Sequence, residues 1–272
     1  MMERIELRRV LAIGGSDSGG GAGIQGDIKT GAALGVDVAT VITAITAQNS
    51  VGVQAVEPVP LEMVQAQIAS VCSDIPPHAV KLGMMHDAAR VRAVVGSIRQ
   101  YKLGNIVCDP VLASTSGTIL LHREGMEVLV SALPLFTLLT PNVTEAAALT
   151  GKRIETHSDL VTAGYALLDL GAHAVLMKGG HLDGNEATDV LLQREHSGLM
   201  YFSFPRIRTS NDHGTGCVLA TSIASGLAKG LDLPEAVAAG RDFIDAALRQ
   251  STGLRNGAGR GSMDLVVHKA LS

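Results

Sequence analysis

Residues 211–217 read Asn-Asp-His-Gly-Thr-Gly-Cys and lead into an apolar, small-residue run from 218 to 228. A Gly-Thr-Gly turn that opens a helix leaves several backbone N–H groups without intrahelical partners. They lie at the positive end of the helix dipole, a ready site for an anion such as phosphate. Gly214, Thr215 and Gly216 are therefore candidate anion-binding residues. Cys217 sits at the same end, where a thiol pKa is expected to fall and the side chain becomes a candidate base, nucleophile or polar contact. A plain helix start with a buried cysteine fits the same residues, so the other polar positions must decide.

Several of them offer complementary chemistry. Lys178 ends a buried strand, and Gly179 and Gly180 after it allow a ligand to approach; a cation there can balance phosphate charge during phosphoryl transfer. Asn142 and Glu145, three residues apart at a helix start, suit a water-mediated magnesium site, although the same spacing makes a capping box. Asp109 ends another strand, where a buried carboxylate needs a cation or donors, and it is a second magnesium candidate. Gln48 presents a donor and an acceptor side by side, matching an aminopyrimidine edge. Asp27 follows a glycine-rich loop as a candidate acceptor for a substrate hydroxyl, and the Met84-Met85 pair lines either a pocket or the core. That loop contains Gly21-x-Gly23-x-x-Gly26, but Asp37 lies at the wrong end of the next strand for a dinucleotide ribose, and no Walker lysine follows.

The elements that must position these residues alternate short β-branched runs with longer periodic ones, which predicts βαβ units and a mostly parallel sheet covered on both faces. Strands are expected near 9–14, 39–44, 79–82, 105–109, 135–139 and 174–178, with helices near 24–34, 61–73, 88–101, 124–132, 144–149 and 159–170. A hairpin at 188–193 and 200–204 precedes two closing helices, 215–229 and 234–250, while 253–262 reads as a mobile loop. In such sheets ligands bind beyond the carboxyl ends of the strands, where the polar residues above fall.

Composition narrows the function classes. The 272 residues are 46% hydrophobic and 18% charged, with 31 glycines, which predicts one large α/β core with tight turns. A formal net charge of −4, no tryptophan and few other aromatics argue against a nucleic-acid partner. Cys72, Cys108 and Cys217 are scattered and odd in number, which fits a reducing cytoplasm. No apolar signal core and no run long enough for a membrane span are present, so a soluble cytoplasmic protein is expected.

Taken as a set, Gly14-Gly15-Ser16-Asp17, the run from Gly20 to Gln25, Asp27, Ala47-Gln48-Asn49, Gly83-Met84, Asp109-Pro110-Val111, Thr140-Pro141-Asn142, Glu145-Ala146, Lys178-Gly179-Gly180-His181 and His213-Gly214-Thr215-Gly216-Cys217 closely resemble the bacterial hydroxymethylpyrimidine/phosphomethylpyrimidine kinases. The resemblance implies a ribokinase-like three-layer α/β/α fold, with residues 1–272 as a single kinase domain. It also implies phosphorylation of 4-amino-5-hydroxymethyl-2-methylpyrimidine and then of its monophosphate, with magnesium and ATP, in thiamine biosynthesis. Carried over by residue, Gln48 holds the aminopyrimidine, with Gly15, Asp27 and Met84 lining its pocket. Gly214, Thr215 and Gly216 form the anion hole, and Lys178 neutralises the phosphoryl group. Asn142, Glu145 and Asp109 organise magnesium and the nucleotide phosphates, and Cys217 takes the place of an aspartate base. The expected partners are the pyrimidine and ATP, with no nucleic acid and no membrane, and the chain is expected to form a homodimer.

Two positions depart from the family pattern. Asp212 stands where threonine is usual, and Thr115 where many relatives carry lysine; both touch phosphate handling. Pyridoxal kinase is the alternative activity, against which Gln48 argues. A non-catalytic pyrimidine-binding protein is the alternative from another class.

Overall fold

A computed structural model describes residues 7–114, 117–180 and 182–265, so Thr115 and His181 lie outside the described residues. Side-chain alternation along the strands creates two cores. In β1 (Arg9–Asp17), Val10 faces one side of the sheet, while Leu11 and Ile13 face the other. The same alternation continues in β4 (Ala79–Leu82), β5 (Ile106–Cys108), β6 (Leu138–Leu139) and β7 (Ala174–Met177), whose residues divide between the same two cores. On the Leu11 side lie α2 (Leu61–Asp74), α3 (Ala88–Gln100), α4 (Arg123–Ser131), α5 (Val143–Thr150) and α6 (His157–Asp169). On the Val10 side lie α7 (Thr215–Ala228) and α8 (Leu233–Gln250), with α1 (Gly23–Ala33) packed beside α7.

With β2 (Asp37–Asn49), β3 (Gly52–Pro58), β8 (Glu186–Gln193) and β9 (His196–Pro205), the sheet has nine strands in the order β3-β2-β1-β4-β5-β6-β7-β8-β9. From β2 to β7 the pairs are parallel; β3 at one edge and β8 and β9 at the other are antiparallel. The expected three-layer α/β/α arrangement is therefore present. Because the inner strands run the same way, their carboxyl ends share one rim, and the loops leaving β1, β4, β5, β6 and β7 meet there.

Three local expectations fail for identifiable reasons. β2 was expected to stop at residue 44 but runs to Asn49 and turns back into β3, because Thr46 and Gln48 occupy a strand that is only half buried and tolerates polar side chains. The strand expected at 135–139 is shortened to Leu138–Leu139, since Leu133–Leu135 forms a 3-10 turn around Pro134. The 253–262 loop, expected to be mobile, is instead tied down. The Asn211 amide donates to the carbonyls of Ser251 and Leu254, at 2.9 and 2.6 Å, and Gly261 exchanges backbone bonds with Ser210 and His213. Among the described residues no helix is long and apolar enough to cross a membrane.

Candidate active site

The glycine-rich loop after β1 and the start of α7 interlock. Gly214 adopts φ 88°, and a Cβ there would lie 2.0 Å from the Gly21 carbonyl oxygen, so only glycine permits this approach. Asp17 organises the facing loop by accepting backbone N–H bonds from Gly19, Gly21 and Ala22 at 2.8, 3.1 and 2.8 Å. Burial works against its charge, but these donors and His213 hold its carboxyl below the usual range. His213 Nε2 lies 3.1 Å from Asp17 Oδ2 and 3.1 Å from Gln48 Nε2. The candidate anion-binding motif is thus joined through one imidazole to the candidate ring-binding amide.

Gln48 sits at a register shift in β2, next to Ala47, where its backbone N–H is taken by Ser18 Oγ at 2.8 Å rather than by the β3 ladder alone. Gly15 faces Met84, since a Cβ on Gly15 would meet the Met84 sulfur at 2.7 Å. Met84 is buried against Ala44 and Leu120, and it also faces the cleft.

Beside the Gly214–Gly216 turn, Lys178 Nζ donates to Asp109 Oδ1 at 2.7 Å and lies 3.9 Å from Glu145 Oε2. Burial alone would discharge Lys178, but the two carboxylates outweigh it and keep the ammonium protonated. Gly216 stands at the same point: a Cβ there would be 3.1 Å from Asp109 Oδ2 and 3.3 Å from Lys178 Nζ. Asn142 and Glu145 do form the capping box of α5, each side chain bonding the other's backbone N–H at 2.8 and 2.9 Å. Both nevertheless line the cleft. Burial raises the Glu145 pKa to about 7, against the pull of Lys178.

Two residue-level expectations are corrected. Asp27 does not line the cleft; it is fully buried beneath it, paired with Lys81 at 2.9 Å and accepting from Thr221 Oγ1 at 2.6 Å. A fully buried carboxylate needs these donors, and both of its oxygens are engaged by them. The Cys217 thiol is not lowered by the helix terminus: burial pushes it up, and the neighbouring Lys81 charge only partly compensates. Asp212, the departure from the family pattern beside the turn, is paired with Arg260, whose Nε donates to its Oδ1 at 2.7 Å.

The cleft enclosing these groups measures about 1030 Å³, room for a nucleotide together with a small ring. Gly15, Gln48, Met84, Asp109, Asn142, Glu145, Lys178, Gly214, Thr215, Gly216 and Cys217 all line it. No group of three or more His, Cys, Asp or Glu residues able to hold a metal occurs among the described residues. Two carboxylates flanking one ammonium still fit magnesium, which takes one or two protein oxygens and completes its shell with water and phosphate. Lys81 and Arg260 also line the cleft and were missed in the sequence. Lys81 could have been found, because a lysine inside the otherwise apolar strand Ala79–Leu82 demands a buried counter-charge. Arg260 carried no local signal.

Comparison with known proteins agrees with this geometry. The family profile for phosphomethylpyrimidine kinase matches residues 17–264. The chain is 47% identical over 253 residues to the hydroxymethylpyrimidine/phosphomethylpyrimidine kinase of Rhizobium meliloti strain 1021, covering 92% of this chain and 94% of the relative. Among solved structures, phosphomethylpyrimidine kinase from Clostridium difficile 630 matches with a TM-score of 0.77 and 41% identity over 89% of this chain and 99% of that one. The ADP complex of Bacillus subtilis pyridoxal kinase matches with a TM-score of 0.83 and 33% identity, over 92% and 95% of the two chains.

Proposed function

The chain belongs to the phosphomethylpyrimidine kinase family, and from that premise we propose that its cleft phosphorylates 4-amino-5-hydroxymethyl-2-methylpyrimidine and then its monophosphate, as in thiamine biosynthesis. The observation that carries this reading is the contiguity of Gln48, His213 and the Gly214–Gly216 turn, which sets an amide for an aminopyrimidine edge beside a phosphate cradle. In the first transfer the hydroxymethyl oxygen bonds to the γ-phosphorus of ATP while the bond to the bridging oxygen breaks and ADP leaves. In the second, an oxygen of the monophosphate takes the nucleophile's place. The N–H groups of the turn and Lys178 stabilise charge on the moving phosphoryl group, where most of the acceleration of such a transfer arises. Cys217, as its thiolate, accepts the hydroxyl proton and becomes a neutral thiol, and Lys81 is the cation that favours the thiolate before the transfer. Asp109 and Glu145 are the residues that would hold magnesium, which supplies charge neutralisation on the nucleotide phosphates when bound.

The described cysteines are all free thiols, which suits a reducing cytoplasm. Residues 1–272 act as one kinase domain in this reading. Two chains pair as a homodimer through the β2–β3 edge, where Ile45 and Val51 are 54% and 68% exposed.

Mass spectrometry of products formed with magnesium-ATP tests the assignment. Mono- and diphosphorylated pyrimidine are expected, with Gln48→Ala raising KM roughly tenfold or more and Cys217→Ala lowering kcat about a hundredfold. Full turnover by the cysteine variant removes Cys217 from the proton-accepting role. Pyridoxal kinase is the second reading, favoured by the likeness to the Bacillus subtilis enzyme; preferential turnover of pyridoxal in a side-by-side assay would replace the first.

A further inference from the structure

Arg260 stands on the acceptor side of the cleft, in a recess it shares with Asp17, Asn49, Ser50 and His213. Its guanidinium grips the Asp212 carboxylate with two donors, Nε to Oδ1 and Nη2 to Oδ2. Asp212 immediately precedes His213, the imidazole that touches the Gln48 amide, so this ion pair borders the place where the acceptor ring and its substituent must lie.

The pair is not what holds the loop. The His213 N–H donates to the Gly261 carbonyl at 3.0 Å, and the Gly261 N–H donates to that of Ser210 at 2.9 Å. Gly259 N–H reaches Ser50 Oγ at 3.2 Å, and Asn256 Nδ2 reaches Ser262 Oγ at 2.6 Å. These anchors leave the loop in place whatever Arg260 binds. The Arg260 side chain is itself 57% exposed, and an exposed ion pair adds little to stability.

The second transfer sets a problem of charge. Its acceptor already carries a phosphate, yet the Gly214–Gly216 turn and Lys178 are occupied by the phosphoryl group in transit. A bare Asp212 carboxylate beside that acceptor would repel it. A guanidinium fork matches a phosphate as well as it matches a carboxylate. We propose that Arg260, still paired with Asp212 through Nε and Nη2, binds the phosphate of the phosphorylated acceptor with its remaining Nη donors, and thereby sets affinity in the second phosphorylation. This rests on the pyrimidine kinase reading above.

The two reactions are measured separately, the first with the hydroxymethyl compound and the second with its monophosphate, in the wild type and in Arg260→Gln and Asp212→Asn. Arg260→Gln is expected to raise KM for the monophosphate about tenfold, the loss of a charge-assisted contact. KM for the unphosphorylated acceptor should change less than twofold. Asp212→Asn removes the neighbouring anion and should leave KM for the monophosphate unchanged or lower it. If Asp212→Asn reproduces the Arg260→Gln defect, Arg260 acts only by pinning the loop, and the inference falls. It falls equally if Arg260→Gln leaves the monophosphate KM alone or weakens both reactions in parallel. A wild type that phosphorylates neither acceptor overturns the pyrimidine reading and this inference with it, whereas a wild type active on both with an indifferent Arg260 variant overturns only the inference.

Discussion

Two lysines reach the cleft, and each is held by a carboxylate: Lys178 by Asp109 and Lys81 by Asp27. Lys178 was legible directly, because it ends its strand, whereas Lys81 lies inside one among apolar neighbours and shows itself only through the counter-charge it demands. Asp27 was placed correctly on the first turns of α1, but its partners come from residues 81 and 221, and no local spacing announces contacts so distant. Glu145 serves two roles at once, cap and cleft carboxylate, and the sequence offered them as alternatives. Its raised pKa fixes the sign of a pH effect. The folded carboxyl keeps a proton up to about pH 7, while the unfolded one releases it near its ordinary value of 4.5. This contribution to stability is therefore complete below about 4.5 and lost as pH rises through about 7. Urea unfolding of the ligand-free protein should show the margin of wild type over Glu145→Gln narrowing between pH 5 and pH 8; a margin that widens would mean the carboxylate is favoured by folding.

At the scale of elements, although β1 and β2 run past their expected ends to Asp17 and Asn49, the inner strands and the helix after the Gly-Thr-Gly turn followed from hydrophobic patterning alone. The β3 strand did not, because Gly52–Pro58 is half exposed and carries no apolar stripe. Nor did the fit of one loop against another, which depends on backbone atoms rather than side-chain types. Gly214 and Gly230 separate these effects. Both have φ near 90°, but a Cβ at Gly214 collides with Gly21, while nothing lies within 4 Å at Gly230. Gly230→Ala is expected to cost about 1 kcal/mol of stability with full turnover, as a left-handed alanine should. Gly214→Ala should cost more and lower kcat at least about tenfold, because the turn must move away from Gly21 and from the place proposed for the phosphoryl group. Equal behaviour of the two variants in unfolding and kinetic assays would show that the interlock with the glycine-rich loop is unimportant.

For the whole molecule, the alternation of strands and helices fixed the three layers, yet the chain's far ends met unannounced. The 253–262 segment looked like a tether because glycine and arginine are common in loops. Its glycines instead mark close approach: a Cβ on Gly259 would lie 2.1 Å from the Ser50 carbonyl oxygen. At the β3 edge, the proposed homodimer is tested by sedimentation of the wild type and of Ile45→Lys with Val51→Glu. A dimer that becomes monomeric is expected, and a wild type that sediments as a monomer at micromolar concentration removes the pairing. The long reach of the clasped segments has a further consequence. His213 meets Asp17 across a separation of 196 residues, and Gly259 meets Ser50 across 209. During synthesis, then, the glycine-rich loop is made long before its partners and waits for them. The contacts around Gln48 cannot all close until residue 259 has been made, so a product cut short before α7 would carry Gln48 without His213 or the Gly214–Gly216 turn beside it.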